Sequence, residues 1–224
     1  MHSFAALAAL AAVVLVNAQE SIEFGPAFSL GPTQSWIKEA VTTLVLPEAP
    51  SPQEDRLALW PGMGTSGGDL IQALAVSFSD PNANCGAKEG QWCTWASTLQ
   101  GEQLGGKQVP ASAGDEVKMH YKFNDETSKY DQTVSINGEV VSTLSTSSGQ
   151  AQGWGTAVEA QDNASKSKVA AHKYVDTTII LNAADSTFAG TLGLNNADST
   201  GLNTEDNKTF KVDTITINAH TFNF

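Results

Sequence analysis

Apolar and polar residues alternate with a period of two along much of this chain. Val117, Met119, Tyr121 and Phe123 interleave with Lys118, His120 and Lys122, so an extended segment there has one apolar and one charged face. Residues 133–136 and 139–144 flank Asn137-Gly138, a dipeptide that tolerates two successive positive φ angles. This predicts a hairpin with a type I′ turn. Residues 177–181 and 212–217 are β-branched runs, and residues 37–46 form another that ends before Pro47. Beyond residue 18 no long helical period appears.

Short strands separated by Gly, Asn, Asp and Ser turns predict an all-β fold, a two-sheet antiparallel β-sandwich or jelly roll. Residues 47–56, rich in proline and acid, read as a surface excursion between strands. Residues 142–155 are rich in Ser, Gly and Gln and read as a mobile loop carrying Trp154, and residues 195–207 as a second polar loop. No internal repeat is seen, so residues 19–224 are expected to form one domain, and a monomer.

Residues 4–16 are apolar without interruption, and Val16-Asn-Ala18 places small residues at the −3 and −1 positions of a cleavage site. Residues 1–18 therefore read as a signal peptide, too short for a comfortable membrane span, and the mature chain as secreted and extracellular. A removable pro-segment, if there is one, would fall between Gln19 and about Pro32. Asn163-Ala-Ser165 and Asn207-Lys-Thr209 are glycosylation sequons, expected to face solvent.

The formal charge of −12 lies wholly after residue 18. Such acidity argues against nucleic acid or anionic membrane as a partner. The two cysteines, Cys85 and Cys93, are expected to form a local disulfide, which on the chain-entropy estimate stabilises by about 2.6 kcal/mol. With too few Cys and His for a zinc site, no metal or cofactor is expected. Asp198, Asn203, Glu205 and Asp206 crowd one loop and carry oxygen ligands suited to Ca²⁺, but their spacing fits no EF-hand; a solvated acidic turn is the reading.

The candidate chemistry rests on two polar residues in strand-like segments. Gln72 shares a face with Leu70, Leu74, Val76 and Phe78, where an unpaired carboxamide costs roughly 1–3 kcal/mol. Glu159 falls in Gly155-Thr-Ala-Val-Glu-Ala-Gln161. A glutamate can act as general base and then general acid, and a glutamine N–H can donate to the oxyanion of a tetrahedral intermediate. Together they suffice for acyl hydrolysis in acid. The competing reading is a hydrogen-bonded core amide and an ordinary exposed glutamate. Gly-x-Ser-x-Gly, His-Glu-x-x-His, P-loop and dinucleotide fingerprints are all absent.

The order of these segments resembles that of the eqolisins, or glutamic peptidases, secreted acid proteases with a concanavalin A-like β-sandwich. Trp60-Pro-Gly-Met-Gly64 is similar to that family's Trp-x-Gly-Ile-Asp-Gly segment, and Leu70-Ile-Gln-Ala73 to the strand bearing its catalytic Gln. Trp92-Cys-Thr-Trp95, the turn Ser112-Ala-Gly-Asp115, and Ala157-Val-Glu-Ala160 continue the match. The resemblance implies an endopeptidase with Gln72 and Glu159 catalytic, Trp60, Trp95 and Asp69 in support, and an extracellular protein substrate. Departures are Gly64 in place of an Asp, for which Asp69 is a substitute, a reduced aromatic segment, and Thr156 in place of a Trp.

Tryptophans offer an alternative. Trp60, Trp92, Trp95 and Trp154 would make a platform for sugar rings, and sandwiches of this type also host lectins, glucanases and polysaccharide lyases. In a lyase acting on a polysaccharide substrate, Gln72 would neutralise a uronate while His172 or Tyr174 moves the proton. A third reading is a non-catalytic secreted interaction protein.

Overall fold

The computed structural model describes residues 21–224; the segment read from sequence as a signal peptide, residues 1–18, lies outside them. Among the described residues there are seventeen strands: β1 (Ile22–Leu30), β2 (Ile37–Val45), β3 (Leu57–Thr65), β4 (Leu70–Ser77), β5 (Trp92–Gln100), β6 (Glu102–Gly105), β7 (Val109–Ala111), β8 (Glu116–Asn124), β9 (Lys129–Ile136), β10 (Glu139–Thr146), β11 (Ala151–Gln161), β12 (Lys168–Val169), β13 (His172–Leu181), β14 (Gly193–Asn195), β15 (Ala197–Ser199), β16 (Thr209–Ile217) and β17 (His220–Thr221). The five-residue helix α1 (Pro81–Cys85) lies between β4 and β5.

The strands stack as two antiparallel layers. A back sheet runs β15-β16-β13-β2-β8-β9-β10, and a front sheet runs β14-β1-β11-β3-β4-β5, with β6 and β7 along the outer edge of β5. The two meet where Ala151 pairs with Ile37. At that seam the Tyr130 hydroxyl donates to Ile37 O at 2.5 Å and accepts from Ala151 N at 3.1 Å, so backbone groups left over at the junction find a partner.

Alternation decides which side chains enter the space between the layers. On β8, Val117, Met119 and Tyr121 are fully buried while Lys118 and Lys122 face solvent. Asn137 (φ 49°) and Gly138 (φ 90°) make the tight turn joining β9 to β10. The main core joins Phe28, Leu59, Ile71 and Trp154 of the front sheet to Leu44, Tyr174, Ile179 and Ile215 of the back. A second, smaller apolar cluster, with Trp60, Leu74, Val76 and Trp95, covers the other face of the front sheet. The central front strands are therefore covered on both sides, which is why β4 is buried along its whole length.

One expectation needs correction. Residues 142–155 are not one mobile loop: β10 runs to Thr146 and β11 starts at Ala151, so only residues 147–150 connect them. Glycine richness here reflects close packing. A Cβ on Gly155 would meet Phe28 O at 2.7 Å, and one on Gly153 would meet Leu30 O at 2.9 Å. The segment at residues 22–30 is built into the front sheet. It forms β1, which pairs with both β11 and β14 and sets Phe24 opposite Glu159.

Candidate functional site

On the front sheet the side chains of residues 58 and 60 of β3, 70, 72, 74 and 76 of β4, 93, 95 and 97 of β5, and 157, 159 and 161 of β11 share the face turned away from the core, as the strand register and the two apolar clusters require. A groove of about 360 Å³ runs over this face. Its floor is Ala58, Leu74, Val76, Phe78 and Trp95, and its polar lining holds Gln72 and Glu159 together. Gln72 is thus no hydrogen-bonded core amide. Only 5% exposed, it faces the groove, and its carboxamide has no protein partner among the described residues.

Register fixes how far apart the two groups stand. Glu159 pairs with Ala58, which pairs with Val76, whereas Gln72 pairs with Gly62 and Ser97. The offset is two strands and four residues, about 10 Å across and about 13 Å along, or about 16 Å between Cα atoms. Strand side chains stand roughly perpendicular to the sheet, so both groups face the same groove from separate strands, with more than one hydrogen-bond length between them. Trp60 sits midway on that diagonal, paired with Ala157 of β11.

Glu159 is held on both oxygens. Trp60 Nε1 donates to Oε2 at 2.9 Å, and Gln161 Nε2 donates to Oε1. Burial is the largest influence on its acidity and raises the pKa above the ordinary 4.5; the Gln161 and Trp60 hydrogen bonds and the charge of Arg56 oppose that rise without cancelling it. Arg56 lies beside Gln161, with backbone hydrogen bonds of 3.0 and 2.9 Å in both directions. Its guanidinium reaches Asp162 at 3.3 Å.

The outer wall of the groove comes from long-range contacts. Helix α1 is capped by Asp80, whose Oδ1 accepts from Ala83 N, and ends at Gly86 (φ 74°). The Cys85–Cys93 disulfide ties it to β5, bringing Asn84 to the groove. Gln53 braces the same corner, donating to Ser77 Oγ and Gln91 O and accepting from Gly90 N. Gln103 and Gln108 close the side beyond β5.

The other residues singled out in the sequence scatter. Trp92 and Trp154 point into the main core, 0% and 1% exposed, and Trp92 Nε1 donates to Pro47 O. They line no sugar platform. The spacing carries the reason for Trp92: it stands three residues from Trp95, and odd spacing on a strand means opposite faces. Asp69 lies at the hairpin end, where it accepts from Gln100 Nε2 at 2.6 Å, and it is not part of the groove. His172 and Tyr174 are buried on β13 in the back sheet, so neither reaches Gln72 to serve a lyase. Asn163 and Asn207 are both exposed. Asp206 caps its own loop, accepting from Lys208 N and Thr209 N.

Sequence reasoning missed Arg56, Asn84, Gln103, Gln108 and Gln161. Only Gln161 left a signal, since it lies two residues from Glu159 and so on the same face.

No protein-family model and no curated protein sequence matches the chain. Solved structures do. Scytalido-glutamic peptidase bound to a peptide-based transition-state analogue superposes with a TM-score of 0.54 at 12% identity, covering 87% of this chain and 99% of that one. The same peptidase with a transition-state analogue inhibitor gives 0.55 at 13%, with the same coverage. SCP-B, a member of the eqolisin family of peptidases in complex with the tripeptide Ala-Ile-His, gives 0.54 at 12%, covering 90% of this chain and all of that one. At these identities the shared property is architecture, and the chain has the β-sandwich fold of the glutamic peptidases.

Proposed function

We propose that the protein is a secreted acid hydrolase of glutamic-peptidase type, cleaving peptide bonds in extracellular proteins. The observation that carries this reading is the convergence of Gln72 and Glu159, 87 positions apart in sequence, on one groove. Glu159, when ionised, takes a proton from a water lying over Trp60, and that water attacks the substrate carbonyl. The oxygen that gains charge turns toward Gln72, whose uncommitted N–H stabilises it. Glu159, now protonated, returns the proton to the departing amine. Trp60 and Gln161 keep the carboxylate in place through the cycle. The carboxamides around the groove suit the backbone of an extended peptide, which offers donors and acceptors in alternation.

Because the base must be ionised, kcat/KM should rise with pH through the Glu159 ionisation, at a pH above 4.5. The mature protein, incubated with an acid-denatured protein substrate across pH 3–7, should cleave it, and pepstatin should not inhibit. Glu159→Gln should abolish cleavage while leaving the thermal unfolding midpoint close to that of the parent. Full cleavage by this variant removes Glu159 from the mechanism.

A further inference from the structure

Five carboxamides line the groove: Gln72, Asn84, Gln103, Gln108 and Gln161. Three of them hold the protein itself. Gln161 Nε2 donates to Glu159, Asn84 Nδ2 donates to Asp80 O at 2.8 Å, and Gln103 Nε2 donates to Ser97 Oγ. Gln72 and Gln108 make no side-chain hydrogen bond among the described residues. Gln72 has the oxyanion to serve; Gln108 has no task within the fold. Its Oε1 is shut off from solvent and has no hydrogen-bond partner. A buried oxygen left without a donor destabilises the folded state, so such groups are rare and call for a reason. The backbone around it is well held. Gly106 N donates to Ala96 O at 2.8 Å, and Val109 pairs with Thr94. Gln108 is thus pinned level with Trp95 by its neighbours, and its side chain is left over.

The groove crosses the strands. Glu159 is on β11, Gln72 two strands away on β4, and Gln108 two further, just before β7 on the outer side of β5. Gln72 therefore stands between the other two, with about 10 Å of lateral spacing on each side. On the hydrolase reading above, we infer that Gln108 is a substrate-binding residue, its Oε1 accepting a hydrogen bond from a main-chain N–H of the peptide held at Gln72 and Glu159. Such a bond needs neither a set direction nor a set register of the chain. Every residue except proline carries one N–H, so a peptide lying across Gln72 and β5 offers one to Gln108 whichever way it runs. The last torsion of a glutamine side chain has only broad preferences, so the oxygen turns toward the groove at little cost. Binding then pairs an oxygen that the free protein leaves unpaired.

Binding to the Glu159→Gln protein tests this without relying on turnover. A capped eight-residue peptide, one phenylalanine among alanines, is compared by calorimetry at pH 5.5 with analogues that each carry one ester in place of a backbone amide. Each ester deletes one N–H. At least one analogue should bind about fivefold more weakly than the all-amide peptide, the usual worth of a hydrogen bond between neutral groups. With Gln108→Met added, the all-amide peptide should also bind about fivefold more weakly, and that ester should cost nothing further, as for two partners of one contact. Gln108→Glu keeps an oxygen at this position and should keep the discrimination. Without peptide, Gln108→Met should leave the thermal midpoint unchanged or raise it, because an unpaired buried oxygen is gone. Equal affinity for every peptide overturns the inference, as do ester costs that all persist in Gln108→Met. A lowered midpoint with unchanged binding marks a structural amide and overturns it too. Binding of an oligogalacturonate in place of every peptide overturns it together with the hydrolase reading. Discrimination that Gln108→Met abolishes, with a wild-type protein that cleaves nothing, removes the hydrolase reading and leaves the role of Gln108 standing.

Discussion

At the scale of single residues, the site consists of one carboxylate whose proton affinity is set by its neighbours. Removing water from around Glu159 raises its pKa, and the donors on its two oxygens pull it back. Losing either donor must push the pKa up further, because the ionised form loses a hydrogen bond that the neutral form needs less. Gln161→Leu should therefore move the rising limb of the pH–kcat/KM profile to higher pH. By the worth of a hydrogen bond to a charged group, the shift is about one pH unit. A carbon-13 titration of the Glu159 carboxyl reads the same shift without substrate. An unmoved titration would show that Gln161 does not tune this group. Trp60→Phe should act in the same direction, with an added packing loss because the indole also meets Phe24 edge-on at 6.5 Å.

At the scale of elements, the groove is built where strand parity and a local staple meet. The disulfide between Cys85 and Cys93 closes a short loop and ties α1 to β5. Replacing both cysteines by serine should lower the free energy of unfolding by about 2–3 kcal/mol on the loop-entropy scale. Urea unfolding would show this as a lower midpoint with an unchanged slope. An unchanged midpoint would mean that Gln53, bonded to Ser77, Gly90 and Gln91, holds the corner without it.

Much of this architecture was legible in the sequence. The alternation in β8, the Asn-Gly turn and the β-branched runs of β13 and β16 all encode local geometry, and each formed where expected. Gln72 and Glu159 stood out because a polar residue on an apolar strand face needs a reason. The sequence misled at β11, where glycines that permit close strand approach looked like glycines that permit motion. Gln103 and Gln108 could not be foreseen, since they reach the groove only through the pairing of β6 and β7 with the edge of β5. The same holds for Arg56, set beside Gln161 by a pairing across 105 positions of chain.

At the scale of the whole molecule, the proposed hydrolysis in acid would require a fold that survives acid, and two buried groups outside the groove pull in opposite directions. Asp185 joins the segment after β1 to the turn after β13. Burial alone would raise its pKa, but hydrogen bonds from Thr187, Gln34 and Thr33 bring it down to about 2. Its contribution to stability is complete above the ordinary 3.8 and is lost as pH falls through about 2, so this junction holds down to about pH 4. His172 behaves in the opposite way. Burial in the back sheet lowers its pKa from 6.5 to about 4, against the effect of its hydrogen bond with Ala170 O. Between those values the unfolded chain takes up a proton that the folded chain refuses, so stability falls as pH falls from 6.5 toward 4. Integrated over that window, the loss is on the order of 3 kcal/mol. His172→Gln, which keeps a polar side chain but cannot be charged, should be less stable than the parent at pH 7, where the native imidazole packs well. Its deficit should shrink by most of that amount, or reverse, at pH 4. Urea unfolding of both proteins at the two pH values measures the difference directly. Equal losses on acidification would place the acid sensitivity of the fold in some other group than His172.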